Sequence, residues 1–171
     1  WSFAAFAIPN INKGFEPRGN VVKDASGNLF STAFVGGINS DGVVFKLSPV
    51  SGGGWTESLI HIFDGAKGAY PQGLTEDSNG GFYGVATGGG NASCTVGCGM
   101  IYDLTPRPNN GWVETILHRF NGTYDGAGPD GHLMVDGSGN IFGAAQAGGS
   151  TNCFAGCGTI FEISAPAPVG K

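Results

Sequence analysis

Charged side chains are scarce in this chain: Lys, Arg, Asp and Glu make up 12% of its 171 residues, and the net charge is −5. That excludes a nucleic-acid partner, because no basic stripe exists to neutralise phosphates. Long apolar runs are missing too, and with them any expectation of membrane insertion. The opening "WSFAAFAIPN" lacks the basic start and apolar core of a signal peptide, so a secreted form would have shed its leader earlier. No stretch sustains a helical period, and glycine, at 33 residues, is too frequent for one. There is no G-x-S-x-G elbow, phosphate loop or dinucleotide fingerprint, which removes the common nucleophile and nucleotide chemistries. No cofactor is expected.

What remains is glycine, proline and short apolar runs in a repeating order. "PRGNVVKDASGNLFSTAFVGG", "PQGLTEDSNGGFYGVATGGG" and "PDGHLMVDGSGNIFGAAQAGG" are three copies of one plan, led by Pro17, Pro71 and Pro129. "GVVFKLSP", "GMIYDLTP" and "GTIFEISAP" follow them in turn, and the first two copies go on to "WTESLIHIF" and "WVETILHRF". The chain opens on a related segment, "WSFAAFAIP", standing as far before Pro17 as Trp55 stands before Pro71. It therefore reads as one repeat domain over 1–171: a closing strand and loop at 1–16, then repeats at 17–70, 71–128 and 129–171.

Each repeat predicts four short strands, and "DASGN", "DSNGG" and "DGSGN" predict hairpin turns between the first two. Asp hydrogen-bonds the backbone two residues on, and Gly or Asn accepts a positive φ. In the fourth strand, period two places Trp112, Glu114, Ile116, His118 and Phe120 on one face. Four antiparallel strands per tandem unit is the pattern of a β-propeller blade. The expected fold is all-β: a β-propeller-type array of three four-stranded repeats, with the N-terminal strand completing a blade. Three blades fall short of the about four to eight that propellers use. A six-bladed ring from two chains, with residues 1–9 completing a partner's blade, would close the count. A compact three-unit β-prism and a fragment of a longer array are the alternatives.

These segments carry a family resemblance. "GVVFKLSP…GGGWTESLIHIFDG", "GNLF" and "CTVGCGMIYDLTP" resemble the GloVer-type tandem repeat of predicted extracellular bacterial proteins, over essentially the whole chain. The resemblance implies a propeller-like, secreted or surface-associated protein and brings no established catalytic residues. The first repeat departs from the pattern, with "NLFSTAF" lacking the glycine after the aromatic, and "WSFAAFAIP" lacks the Thr-Glu pair.

The cysteines fall in the two longer copies of one loop, 89–99 and 148–158; the first repeat's shorter loop, 36–42, has none. Repeat equivalence favours two local disulfides, Cys94 with Cys98 and Cys153 with Cys157. A five-residue ring stabilises by about 2 kcal/mol on the chain-entropy estimate. Zinc held by four thiolates, free thiols and cross-pairing are the alternatives. Disulfides imply an oxidising, extracellular compartment.

Catalytic groups are hard to find. His61 and His118 are repeat-equivalent, as are Glu57 and Glu114, which favours structural roles over catalysis. His132 beside Asp130 is the weak catalytic candidate. A glycosidase pair would have to come from Glu16, Asp41, Asp125 and Asp130. Asp24, Asp77 and Asp136 read as turn caps rather than calcium ligands, and no metal is expected. The segments between repeats, "NKGFEPRG", "DGAKGAYPQG" and "NGTYDGAGPDG", read as loops gathered on one face. They supply the candidate ligand contacts Phe15, Glu16, Arg18, Tyr70, Gln72, Tyr124, Asp125 and Asp130. An aromatic face plus hydrogen-bonding groups suits a sugar ring. The expected function is an extracellular binding module for glycan or protein ligands, forming homo-oligomers. A structural self-assembling protein and a carbohydrate-active enzyme are the alternatives.

Overall fold

The computed structural model describes residues 14–150 and 152–166, together with Phe3 and Ala5. The expected closing strand at residues 1–9 lies outside the described residues. Strands follow in chain order: β1 Phe15–Lys23, β2 Leu29–Val35, β3 Val43–Pro49, β4 Trp55–Ile62, β5 Ala69–Glu76, β6 Phe82–Gly88, β7 Met100–Arg107, β8 Gly111–Arg119, β9 Ala127–Val135, β10 Ile141–Gly149 and β11 Gly156–Ile163. A 3-10 turn, Pro108–Asn110, joins β7 to β8. Among the described residues there is no α-helix, so none that could cross a membrane.

These strands form three antiparallel meanders, one per repeat: β1-β2-β3-β4, β5-β6-β7-β8 and β9-β10-β11. The Asp-Gly turns hold the first hairpin of each. Asp24 Oδ1 accepts the Asn28 amide at 2.8 Å, Asp77 Oδ1 that of Gly81 at 2.7 Å, and Asp136 Oδ1 that of Asn140 at 2.9 Å. Gly27, Gly80 and Gly139 take φ of +82°, +77° and +85°, where a β-carbon would be strained. Hydrogen bonds from Asn140 hold the Asp136 carboxyl below its ordinary range. Burial pushes Asp24 the other way, and the bonds from Asn28 and Ser26 outweigh it.

Successive sheets pack face to face. Phe30, Val44 and Phe63 of the first meet Leu74, Phe82, Met100, Tyr102 and Leu104 of the second. Val85, Ile101 and Phe120 of the second meet Leu133, Ile141 and Ala145 of the third. Each fully buried Leu or Ile there stabilises by about 1.5–3 kcal/mol. The first strands of the sheets also touch. A Cβ placed on Gly19 would lie 2.6 Å from Gly73 Cα, and one on Gly73 would lie 3.0 Å from His132 Cβ, so the "P-x-G" glycines permit this approach. Asn20 seals it, donating from Nδ2 to the Leu74 carbonyl at 2.8 Å and accepting the Leu74 amide at 2.9 Å. Thr75 Oγ1 donates to the Leu133 carbonyl.

Two expectations change. The even alternation of the fourth strand is interrupted, because Tyr102 pairs with Ile116 and Ile101 with His118, leaving Leu117 as an extra residue. β4 has the same irregularity at Ile60. A one-residue bulge switches faces, so Glu114 and His118 point to opposite sides of the sheet. The segments read as loops are also largely strand: Phe15, Glu16 and Arg18 lie in β1, Tyr70 and Gln72 in β5, and Asp130 in β9. Ladder pairing runs through the prolines, with Pro17 opposite Ala33, Pro71 opposite Ala86 and Pro129 opposite Ala145.

Candidate functional site

Cys94 and Cys98 form one disulfide and Cys153 and Cys157 another, each with Cα atoms 5.1 Å apart. This removes the four-thiolate zinc alternative. The two loops share one hydrogen-bonding plan. Gly89 donates to the Val96 carbonyl (2.8 Å), Gly97 to Cys94 (3.0 Å) and Cys98 to Asn91 (3.2 Å). Gly148 donates to Ala155 (3.0 Å), Gly156 to Cys153 (3.0 Å) and Cys157 to Ser150 (3.2 Å). Glycine is needed because the chain doubles back on itself: a Cβ on Gly97 or Gly156 would run into the backbone of Gly89 or Gly148.

Each stapled loop walls a cleft against the segment that links two sheets. The first cleft, about 420 Å³, is lined by Asp41, Gly65, Tyr70, Asn91, Thr95 and the Cys94 side of the loop. The second, about 510 Å³, is lined by Gly122, Thr123, Tyr124, Ser150, Cys153 and Gly156. Both are therefore walled by repeat-equivalent loops, and each carries one tyrosine, at positions that are not equivalent. Asp41 is the one charged side chain among these lining residues. Burial and the nearby Asp64 push its carboxyl above the ordinary range.

Of the residues singled out in the sequence, Tyr70 and Tyr124 border the clefts. Tyr124 is 90% exposed, whereas Tyr70 stacks on Phe34 with ring centres 4.9 Å apart. The Arg18 guanidinium lies 3.8 Å from the centre of that Phe34 ring and pairs with Glu16 at 3.0 Å. Gln72 is buried, and its Nε2 donates to Thr87 Oγ1 at 3.3 Å. Asp125 accepts the Asn121 amide and sits 3.0 Å from His118 Nε2, closing its own loop. Phe15, Asp130 and His132 are exposed and line neither cleft. Asp130 accepts the Gly131 amide. Asp130 and His132 therefore share β9 but do not face a cleft with the other candidates.

Sequence reading treated the cysteine loops as staples only and overlooked their backbone, Thr95, Thr123 and Ser150 as cleft walls. The available signal was the twofold recurrence of the whole loop. A second feature also escaped it. His61 Nε2 approaches Glu114 Oε1 to 3.6 Å across the first sheet junction. Burial pushes His61 down to about 4 and Glu114 up to about 7, so between those pH values both groups are uncharged. Among the described residues, no group of three His, Cys, Asp or Glu side chains could hold a metal ion.

The two disulfides fit an oxidising, extracellular environment. No curated protein matches the chain. The family model of the Gloeobacter/Verrucomicrobia repeat matches residues 16–169, nearly the full length and all three sheets, and the chain belongs to that family.

Proposed function

We propose that the three sheets are blades of a β-propeller and that the protein is a secreted binding module taking neutral glycans in its two stapled clefts. The observation that supports this best is the recurrence of one cleft in two successive repeats. Recurrence fits multivalent binding, since a reaction centre is needed once, whereas weak sites gain avidity in pairs. Tyrosine offers an apolar face to a sugar ring with a hydroxyl at its rim. The surrounding amides, carbonyls and hydroxyls of Asn91, Thr95, Thr123 and Ser150 offer directional hydrogen bonds without charge. Among the described residues, neither lining carries a cationic side chain of the kind that anionic ligands require. The disulfides hold these glycine-rich walls in place and lower the entropy lost on binding.

A glycan array followed by calorimetry tests this reading. A neutral oligosaccharide is expected to bind at two sites per chain. Tyr124→Ala and Tyr70→Ala are each expected to remove one site, and reduction of the disulfides to weaken both. An array without any hit, or binding indifferent to both tyrosines, would end the proposal.

A further inference from the structure

The two internal junctions join matching residues, and their repeat equivalents on the outer faces of the first and third sheets are exposed. At the first junction Leu74 packs with Val44; at the second, Leu133 packs with Ile101. All four are buried, with exposures of 0–3%. The repeat equivalent of Val44 and Ile101 in the third sheet is Ile160, which is 83% exposed. The equivalent of Leu74 and Leu133 in the first sheet is Val21, 62% exposed.

Two further pairs follow the same rule. Pro71 is buried against Gly42 and Pro129 against Gly99, where any Cβ would run into the proline ring. Their counterparts are Gly158 on β11 and Pro17 on β1, and Pro17 is exposed. The Tyr70 amide donates to the Asp41 carbonyl at 2.7 Å, and the Gly128 amide to that of Cys98 at 2.9 Å. Cys157 and Glu16 occupy the corresponding positions at the ends.

The β1 end is also shaped like the junctions. Tyr70 and Gly128 enter their prolines with φ of 61° and 60°, and Glu16 enters Pro17 with φ of 55°. For a non-glycine residue this left-handed state costs about 1–3 kcal/mol and persists where the surroundings demand it. At Tyr70 the demand is visible in the junction itself. Glu16 holds the same conformation, and no sheet stands before it among the described residues.

We infer that the exposed face of the third sheet, centred on Ile160 and Gly158, receives the first sheet of a second copy through its Val21 and Pro17. The occupant is another copy of this chain, because its β1 carries an apolar residue and a proline at the spacing that β5 and β9 present to the covered junctions. The contact joins two different surfaces. It closes a ring when the step angle allows and otherwise continues as a filament. Two chains would make six blades, within the range of known propellers. This inference is independent of the glycan reading and concerns a different surface.

Light scattering after size exclusion, run from low to high micromolar protein, reads the assembly directly. A mass of two chains, or a larger polymer, is expected. Ile160→Glu and Val21→Glu should each weaken association at least about thirtyfold, with circular dichroism unchanged, because both side chains are exposed in the single chain. Mixing the two variants should restore part of the association, since one wild-type Ile160 face then meets one wild-type Val21 face. A wild-type chain that stays monomeric throughout overturns the inference. So does an assembly insensitive to either substitution, or one that the mixture fails to recover; insensitivity to Val21→Glu alone would mean that Ile160 pairs with its own copy instead.

Discussion

His61 and His118 stand six residues after Trp55 and Trp112 in successive repeats, yet their surroundings differ. Each turns beyond a bulge toward the following sheet. His61 finds Glu114, which the second sheet supplies from its fourth strand, β8. After β11 no corresponding strand occurs among the described residues, and His118 pairs with Asp125 of its own loop, remaining 40% exposed at the side chain. The first junction consequently buries an uncharged acid–imidazole contact, whereas the His118–Asp125 contact is half-exposed and stays within its own loop. The cystines differ in the same sense. Cys98 is fully buried against the second core cluster, whereas Cys153 and Cys157 are exposed. Repetition of sequence thus specifies strand and turn, while the chemistry of each copy depends on what lies across from it.

The largest test of this contrast uses the buried and exposed isoleucines. Ile101→Ala should destabilise by about 4 kcal/mol through lost burial and a cavity, while Ile160→Ala should stay within about 0.5 kcal/mol in the isolated chain. Denaturant melts at low concentration check both, and equal losses would erase the distinction between covered and open faces.

Next come the disulfides. Replacing Cys94 and Cys98 by Ala should cost about 3 kcal/mol, the loop-entropy share plus packing, against about 2 kcal/mol for Cys153 and Cys157. Gly122 is part of the reason, since a Cβ there would sit 2.7 Å from Cys94 Sγ. Under mild reductant the exposed pair should open first, as read by timed alkylation and mass measurement.

The acid–imidazole contact makes a pH prediction of smaller size. Folded Glu114 keeps its proton up to about 7, whereas the unfolded carboxyl loses it near its ordinary 4.5. Its contribution is complete below pH 4.5 and is lost as pH rises through about 7. His61 acts in the opposite direction: the unfolded ring gains a proton below 6.5 that the folded ring refuses until about 4. The stability difference between Glu114→Gln and wild type should therefore grow by on the order of 2 kcal/mol from pH 4.5 to 7 and then level off. A difference that does not change with pH would show that the carboxyl is not held in its neutral form.

The smallest effect separates the two stapled loops. Ala155 is held at φ 63°, so Ala155→Gly should stabilise by about 1 kcal/mol. Val96 stands at the equivalent place without a positive φ, and Val96→Gly should instead lose about 0.5–1 kcal/mol. Thermal unfolding of both variants decides it.

Strand order, the Asp-Gly hairpins and the local disulfides are legible in the amino-acid sequence, because each rests on residues close together along the chain. Asp77 and Gly80 make a turn wherever they stand, and two cysteines four apart on a long glycine loop have few other partners. The bulges at Ile60 and Leu117 are not legible there. A single extra residue in one strand is decided by the ladder opposite, and it reverses the face assigned to His118. The clefts are half legible: Tyr70 and Tyr124 stand out as candidates, but Gln72 is buried and Asp125 is engaged with His118. Whether a polar side chain faces solvent or a neighbouring sheet is set by packing that no single strand records.

Composition and spacing by themselves determined that this chain is all-β, threefold repeated and stapled, since periodicity, turn chemistry and loop closure are local properties. The tertiary structure decided which copy of each residue is covered. Val44 and Ile101 are core while Ile160 is surface, although the three are equivalent in sequence, because burial depends on the sheet that stands opposite.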